Sequence, residues 1–399
     1  MDKCLFCDRD LARGSLEHVF LSALGAHIAT RRATCHPCNN AFATDETGKI
    51  DDALAEGFEE IRNGLKIWTG RNKPPPTLFR AALLNNGAEF DLAPGFIPVV
   101  RPGRVPATLS SCSQYTLVAA NEADAKRQMD ILSKRGISVE AGTAVRVEQK
   151  APTIKRSVRF DGPKVWRAVA KTAAVAFVVL YGNEQARRSI SGEVRNAIRY
   201  GVPSISDFAG WDFVNDWPSI SSSSPHENTP DAKLSGFEHS VIIGDVNERS
   251  VAYVTLFGGW RISIDLGERT TLPARGLATN PRAAKPARFV LTVNAPATYA
   301  PRNADSFATE HNKVLEGNKE AFSRALQTWS EEARASYAEQ LAGELTISVQ
   351  AAGEDEAKRA AAIATFAQKL AAIEHGDGWS TDLGTVFDED TSATVPEGT

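Results

Sequence analysis

Two Cys-x-x-Cys pairs near the start of the chain constrain its fold more than any other feature. Their members are Cys4, Cys7, Cys35 and Cys38. Each pair places two thiolates on one ion, so two pairs close a tetrahedral sulfur site without a further ligand. The spacing therefore predicts one structural zinc ion that holds residues 1–50 as a small folded unit.

Two disulfides are one alternative to zinc, and unrelated free thiols are another. Disulfides require an oxidising compartment. The first residues, Met1, Asp2 and Lys3, lack the basic start and apolar core of a secretion signal. We therefore expect reduced thiols and a cytoplasmic protein. The fifth cysteine, Cys112, lies among serines far from the pairs and is expected to be an ordinary reduced cysteine.

Composition and charge exclude several classes of protein. Hydrophobic residues make up 42% of the 399 positions and charged residues 24%, which is typical of a soluble globular protein of two or more domains. The longest uncharged apolar stretch, residues 172–183, is shorter than the roughly 20 residues that span a bilayer. We therefore expect a buried helix there and no membrane partner.

The net charge of −4 argues against nucleic-acid binding through bulk positive charge, but it leaves room for a local basic surface. Residues 76–160 contain 12 Lys and Arg against 7 Asp and Glu. Residues 376–399 contain six acidic residues and no Lys or Arg, so this tail masks positive character elsewhere. We expect the tail to be disordered.

The pattern along the chain predicts an α+β protein with antiparallel strands and C-terminal helices. Residues 51–68 carry apolar side chains at helical spacing, and three consecutive prolines at 74–76 then interrupt helical structure. We predict four parts: a zinc module with its following helix (1–73), a larger α+β domain (77–300), a helical segment (301–375) and the acidic tail (376–399).

Within these parts, local patterns predict individual elements. Residues 219–236 are rich in serine and proline and favour a flexible loop. Residues 164–181 favour a central buried helix, because most of their side chains are apolar on every face. An antiparallel meander is predicted over 239–246, 250–257 and 260–266, extended by 289–293. Other predicted elements are strands at 90–102 and 113–119 and helices at 122–134, 306–345 and 354–374.

The chemistry of the zinc module centres on Glu17 and His18, which lie between the cysteine pairs, and on Asn39, which follows the second pair. Phosphodiester hydrolysis needs a base that deprotonates water, and a histidine with its ordinary pKa near 6.5 is suitable. A catalytic divalent ion needs hard oxygen ligands, which Glu17 and Asn39 offer. Neighbouring residues on a strand point to opposite faces, so Glu17 and His18 would act from different sides.

Residues 15–21, 24–25 and 35–42 together resemble the HNH (His-Asn-His) endonuclease family, in the zinc-knuckle branch typified by phage endonuclease VII. This resemblance implies a ββα-metal fold, with His18 as general base, Glu17 and Asn39 as ligands of Mg²⁺ or Mn²⁺, and the four cysteines on structural zinc. The chain departs from the pattern in two places. Many members carry Asp where Glu17 stands, and many have a supporting Asn or His within the stretch corresponding to residues 30–34.

The remainder of the chain resembles, more loosely, the long C-terminal region of many bacterial HNH proteins, at residues 62–77, 92–95, 167–171 and 256–258. The expectation is a DNA endonuclease whose large domain provides recognition or control. One alternative is a nuclease effector of phage defence, regulated by a signal or by a regulatory or targeting protein. The other is a non-catalytic zinc-ribbon protein that binds nucleic acid.

Several other residues could contribute to the site. Asn40, Asp45 and Glu46 could each add a metal ligand, whereas His27 and His36 are expected to be bystanders. Arg31 and Arg32 could contact a DNA backbone or could belong to an exposed turn. Six basic and aromatic residues of the large domain are expected to form a helix core with a solvated edge, rather than a surface that binds nucleic acid. They are Trp166, Arg167, Lys171, Arg195, Arg199 and Tyr200.

Overall fold

The computed structural model describes most of the chain. The described residues are 2–11, 14–44, 48–83, 89–100, 122–136, 162–225, 234–282, 287–296, 298–300 and 304–374. The predicted strand at 113–119, Cys112 and the acidic tail lie outside these ranges. The chain divides into two compact units. The first joins residues 1–77 and 94–96 to 158–326, and the second contains 78–93, 97–157 and 327–399. The four-part division made from the sequence stays a prediction.

The described elements form a mixed α+β protein with antiparallel sheets. The strands are β1 (Ser15–His18), β2 (Ala29–Thr34), β3 (Leu78–Leu83), β4 (Glu89–Ala93), β5 (Ile97–Val100), β6 (Ala209–Trp211), β7 (Ser219–Pro225), β8 (His239–Val246), β9 (Arg249–Leu256), β10 (Trp260–Glu268), β11 (Arg275–Asn280) and β12 (Ala287–Asn294). The helices are α1 (His36–Thr44), α2 (Ile50–Gly57), α3 (Glu59–Gly64), α4 (Glu122–Lys134), α5 (Gly162–Tyr181), α6 (Asn183–Ser189), α7 (Gly192–Tyr200), α8 (Ala304–Ala352) and α9 (Glu356–Glu374). None of the described helices is both long and apolar enough to cross a bilayer.

The N-terminal elements of the first unit are a hairpin and three short helices. Strands β1 and β2 pair antiparallel, with Glu17 opposite Thr30 and His18 opposite Ala29. Helix α1 follows β2 directly, which gives the order strand, strand, helix. The single helix predicted over residues 51–68 was wrong, because the structure breaks it at Phe58 into α2 and α3. Phe58 is fully buried against Phe257 and Trp260, with ring centroids 5.2 and 5.3 Å away, so tertiary packing overrides helical periodicity there.

A seven-stranded antiparallel sheet is the main body of the first unit, in the order β6-β10-β9-β8-β11-β12-β7. The predicted meander is confirmed as β8, β9 and β10. Strand β12 does extend the sheet, but through β11, which the sequence analysis missed. The predicted loop at 219–236 was wrong at its start, because β7 pairs with β12. As an edge strand, β7 bonds through its backbone and needs no apolar side chains.

Helix α5 is the central helix of the first unit, as predicted. It packs against α2 and against one face of the sheet, and its side chains are buried from Val165 to Val178. The solvated edge predicted for its basic residues was wrong for Arg167 and Lys171, which are 6% and 3% exposed. Arg167 donates to the carbonyl oxygens of Ile198 and Arg199 at 3.1 Å each, so it holds the last turn of α7.

The second unit contains a three-stranded antiparallel sheet in the order β3-β4-β5. The strand predicted over residues 90–102 was wrong in its extent, because β4 and β5 are separated by a turn at residues 94–96. Helix α4 is confirmed with the predicted bounds. The two C-terminal helical stretches are also confirmed, although α8 is longer than expected and continues to Ala352.

One buried histidine connects the N-terminal residues to the large sheet. The Nδ1 atom of His239 accepts a hydrogen bond from the Phe257 amide at 3.1 Å, so Nε2 carries the proton and donates to the Leu24 carbonyl oxygen at 3.0 Å. The ring also stacks on Phe20, with centroids 5.6 Å apart. Burial lowers the pKa of His239 to about 4. A neutral imidazole is therefore part of the folded structure.

We expect His239 to make stability depend on pH. Because its pKa falls from 6.5 unfolded to about 4 folded, the unfolded chain binds more protons between these values, and stability is lost as pH drops through this window. The replacement His239→Gln removes this titration. Denaturant unfolding at each pH measures by how much the free energy of unfolding of the wild type exceeds that of the variant. This difference should decrease by about 3 kcal/mol from pH 7 to pH 4.

The exposed histidine His311 provides the control. His311→Gln should retain the pH dependence of the wild type. If the difference in free energy of unfolding between wild type and His239→Gln is the same at pH 4 as at pH 7, His239 does not titrate with a lowered pKa.

Candidate functional site

The four paired cysteines converge at one end of the hairpin. Their Sγ atoms all lie within 4.8 Å of one another, and those of Cys7 and Cys35 are 3.5 Å apart. A disulfide would bring two sulfurs to about 2.05 Å, so these cysteines are free thiols. Four sulfurs about 2.3 Å from a tetrahedral ion lie roughly 3.8 Å from one another. The donor set therefore fits a structural metal such as zinc.

Backbone hydrogen bonds preorganise this cysteine cluster. The Cys35 amide donates to the Cys4 sulfur at 3.4 Å, and the Asn39 amide donates to the Cys35 carbonyl oxygen at 3.0 Å as α1 begins. The hydrogen bond from the Cys38 thiol lowers the pKa of Cys4 to about 5, while the same bond raises the pKa of Cys38. The Cys4 and Cys38 thiols thus interact directly, as two ligands of one metal ion would.

The side chains of β1 alternate between two faces, as the sequence predicts for Glu17 and His18. Ser15 and Glu17 are both 4% exposed, whereas Leu16 is 43% exposed. Asn39, in the first turn of α1, donates from Nδ2 to Ser15 Oγ at 2.7 Å. That bond places Asn39 against the buried face of β1, the face that also carries Glu17, and it does not use the Asn39 amide oxygen.

Glu17 has a charged partner that sequence reasoning missed. The Lys171 ammonium, near the middle of α5, donates to Glu17 Oε1 at 3.0 Å and lies 2.6 Å from Asp51 Oδ1 at the start of α2. The Lys171 and Glu17 side chains are each 4% exposed and that of Asp51 is 16% exposed. Thr34 Oγ1 donates to the other Glu17 oxygen at 3.5 Å. A lysine within an apolar helix was the only sequence signal for this cluster.

Two carboxylates, those of Glu17 and Asp51, contact one ammonium group, that of Lys171, in a buried cluster. Burial raises the pKa of Glu17, against the opposing effect of the Lys171 charge. Burial works against the charged form of Lys171 as well, but Asp51 and Glu17 raise its pKa overall. With both carboxylates ionised, two negative charges face one positive charge. The Asn39 amide oxygen and Glu17 Oε2 are hard oxygen donors.

His18 lies on the other face of β1 and is half-buried. Burial lowers its pKa, and the charges of Arg71, Lys171 and His27 lower it further, while Asp51 opposes them. The imidazole is therefore neutral at pH 7 and able to accept a proton. Lys171 and Asp51 thus act on the pKa of His18 as well as contacting each other beside Glu17.

The other candidates have less specific surroundings. Asn40 and His36 are exposed on α1, and the predicted ligands Asp45 and Glu46 lie outside the described residues. Arg32 is exposed and pairs with Asp2 at 2.9 Å. Arg31 donates to the Gly14 carbonyl oxygen at 3.3 Å, so both arginines have partners within the chain.

Comparison of the chain with protein-family models, with curated proteins and with solved structures gave no significant match. The residues and their geometry must therefore carry any functional assignment. Two features are specific enough to do so, namely the four-cysteine cluster and the neutral His18 on a hairpin that precedes a helix.

We expect one zinc ion per chain, bound by the four clustered cysteines. Elemental analysis of purified protein should give one zinc per chain for the wild type and well below one for Cys38→Ser, because three thiolates form a weaker site. Cys112→Ser is the matched control and should contain one zinc ion per chain, as the wild type does. A metal-free wild-type protein that keeps its N-terminal hairpin folded would contradict this assignment.

Proposed function

We propose that this chain is a metal-dependent DNA endonuclease that hydrolyses phosphodiester bonds with His18 as general base. The observation that carries the proposal is the neutral, half-buried His18 on a β-hairpin that is followed at once by a helix and closed by four cysteines. Glu17, on the opposite face of β1, and Asn39, which packs against that face from α1, supply carboxylate and amide oxygens. This is the arrangement implied by the resemblance to the zinc-knuckle HNH family.

In the proposed reaction, the His18 imidazole accepts a proton from a water molecule. The water oxygen forms a bond to phosphorus, the bond from phosphorus to the 3′ oxygen breaks, and that oxygen takes a proton from solvent water, which leaves a 5′-phosphate and a 3′-hydroxyl. A half-buried position suits His18, since desolvation keeps the ring neutral while leaving it access to solvent. A well-placed base of this kind typically contributes 10²- to 10⁴-fold in rate.

Glu17 and Asn39 would hold the catalytic Mg²⁺ or Mn²⁺. When bound, such an ion supplies charge neutralisation at the phosphate and at the departing oxygen. Lys171 orients Glu17 through Oε1, while Oε2 accepts the hydrogen bond from Thr34 at 3.5 Å and keeps a lone pair for a cation. The two carboxylates of the cluster exceed its single ammonium charge, which supports cation binding there.

A non-catalytic zinc-ribbon protein that binds nucleic acid is the second candidate. One observation favours it, because Glu17 is buried and already paired with Lys171. In that case the Glu17–Lys171 contact is purely structural and His18 is incidental. Wild-type protein that binds DNA but does not cleave it with any divalent metal would support this candidate over the nuclease.

We expect His18→Ala to lower cleavage of supercoiled plasmid by 10²- to 10⁴-fold with Mg²⁺ or Mn²⁺. Thermal stability and DNA affinity should change little, because the imidazole acts on water rather than on the fold. His311→Ala, at an exposed position on α8, is the matched control and should cleave normally. A His18→Ala protein that cleaves at the wild-type rate would show that another group is the base.

We expect Glu17→Gln and Asn39→Ala to impair cleavage through weaker metal binding. Their activity should recover partly at raised Mn²⁺, whereas that of His18→Ala should not, because mass action offsets a lost ligand but not a lost base. Titration of the cleavage rate with Mn²⁺ provides the measurement. Asp52→Asn, beside Asp51 but exposed, should behave as wild type. Equal, metal-insensitive losses in the three variants would refute the assigned roles.

A further inference from the structure

A compact basic turn lies beside the hairpin, at residues 69–73. Thr69 organises it, since its hydroxyl accepts hydrogen bonds from the amides of Arg71 and Lys73 at 3.3 and 3.0 Å. The Thr69 amide donates to the Lys73 carbonyl oxygen at 3.0 Å and closes the turn. Arg71 and Lys73 are exposed, and the preceding Trp68 is 55% exposed. Residues 66–73 contain three basic residues and no acidic one.

Backbone contacts fix this turn against the loop between β1 and β2. The Gly70 amide donates to the Ser22 carbonyl oxygen at 2.7 Å. Gly70 also approaches Ala26 so closely that a Cβ atom would lie 1.8 Å from the Ala26 carbonyl oxygen, which explains why glycine is needed. The position of Arg71 relative to the hairpin is therefore set by packed backbone.

The turn belongs to the electrostatic surroundings of His18. After burial, the charge of Arg71 is the strongest influence that lowers the pKa of His18. His27 acts in the same direction, and its carbonyl oxygen accepts a hydrogen bond from Arg288 at 2.8 Å. Arg71 is thus an exposed cation on a turn that is hydrogen-bonded to the loop following His18. Such a cation attracts a polyanion.

We infer that the turn at residues 69–73 binds the phosphodiester backbone of DNA next to His18, with Arg71 as its main contact. Arginine presents a planar fork of donors that matches phosphate oxygens, and a phosphate contact fixes the position of a strand without reading its sequence. The exposed Trp68 adds an aromatic face beside the cations, which fits a nucleic-acid strand. This inference rests on the proposed function and assigns to Arg71 the positioning of the strand for His18.

The test is DNA binding measured over a range of salt concentrations. A labelled duplex oligonucleotide is titrated with His18→Ala protein, which cannot deplete the probe, and with the double variant His18→Ala/Arg71→Ala. Loss of one phosphate contact should reduce the slope of log affinity against log salt by about 1. At 0.1 M salt the affinity should fall by about tenfold.

Two further variants sharpen the result. Arg71→Lys should retain most of the salt slope, because the charge remains although the fork is lost. Arg188→Ala is the matched control, since Arg188 is an exposed arginine that pairs within α6 to Glu184, and it should bind as the parent does. Unchanged affinity and slope for Arg71→Ala would overturn the inference and leave the test of His18 cleavage unaffected. Conversely, Arg71→Ala could weaken DNA binding while His18→Ala cleaves at the wild-type rate. That result would support DNA binding by the turn and refute His18 as the general base.

Discussion

The contact of Lys171 with Glu17 and Asp51 is the interaction on which the first unit depends, because it joins α5, β1 and α2 at one buried point. Removing one partner from a buried ion pair typically costs about 3 to 5 kcal/mol, since the remaining charge stays desolvated. The Lys171 ammonium also lies 5.1 Å from the centre of the Phe42 ring, so α1 packs against the same point. The position of β1, and with it of His18, therefore follows from the position of α5.

Other long-range contacts hold the hairpin at its edges. Asn183, at the start of α6, donates to the carbonyl oxygens of Lys3 and Arg32 at 2.9 and 2.6 Å. Arg195 of α7 donates to the Leu5 carbonyl oxygen at 3.3 Å, close to the cysteine cluster. His239 binds the opposite end through Leu24. The hairpin and the large sheet thus share one core, although a metal would hold the cysteine end by itself.

The sequence predicted the features that local patterns encode and missed those that depend on distant packing. The cysteine spacing, the opposite faces of Glu17 and His18, helix α5 and the β8–β10 meander all follow from short-range periodicity. The partners Lys171 and His239 lie far along the chain from Glu17 and Leu24, and no periodicity connects such positions. Strand β7 was missed because an edge strand can be polar, and the break at Phe58 was missed because buried aromatic packing competes with helix propensity.

The separation of Glu17 and Lys171 by 154 positions also sets an order of events during synthesis. Translation at about 5 to 20 residues per second delivers Lys171 roughly 8 to 30 s after Glu17. Both cysteine pairs are complete once Cys38 has been made, and for most of that interval Glu17 and Asp51 have no ammonium partner. A metal bound by the four sulfurs at that stage would close the nascent hairpin before α5 supplies its buried charge partner.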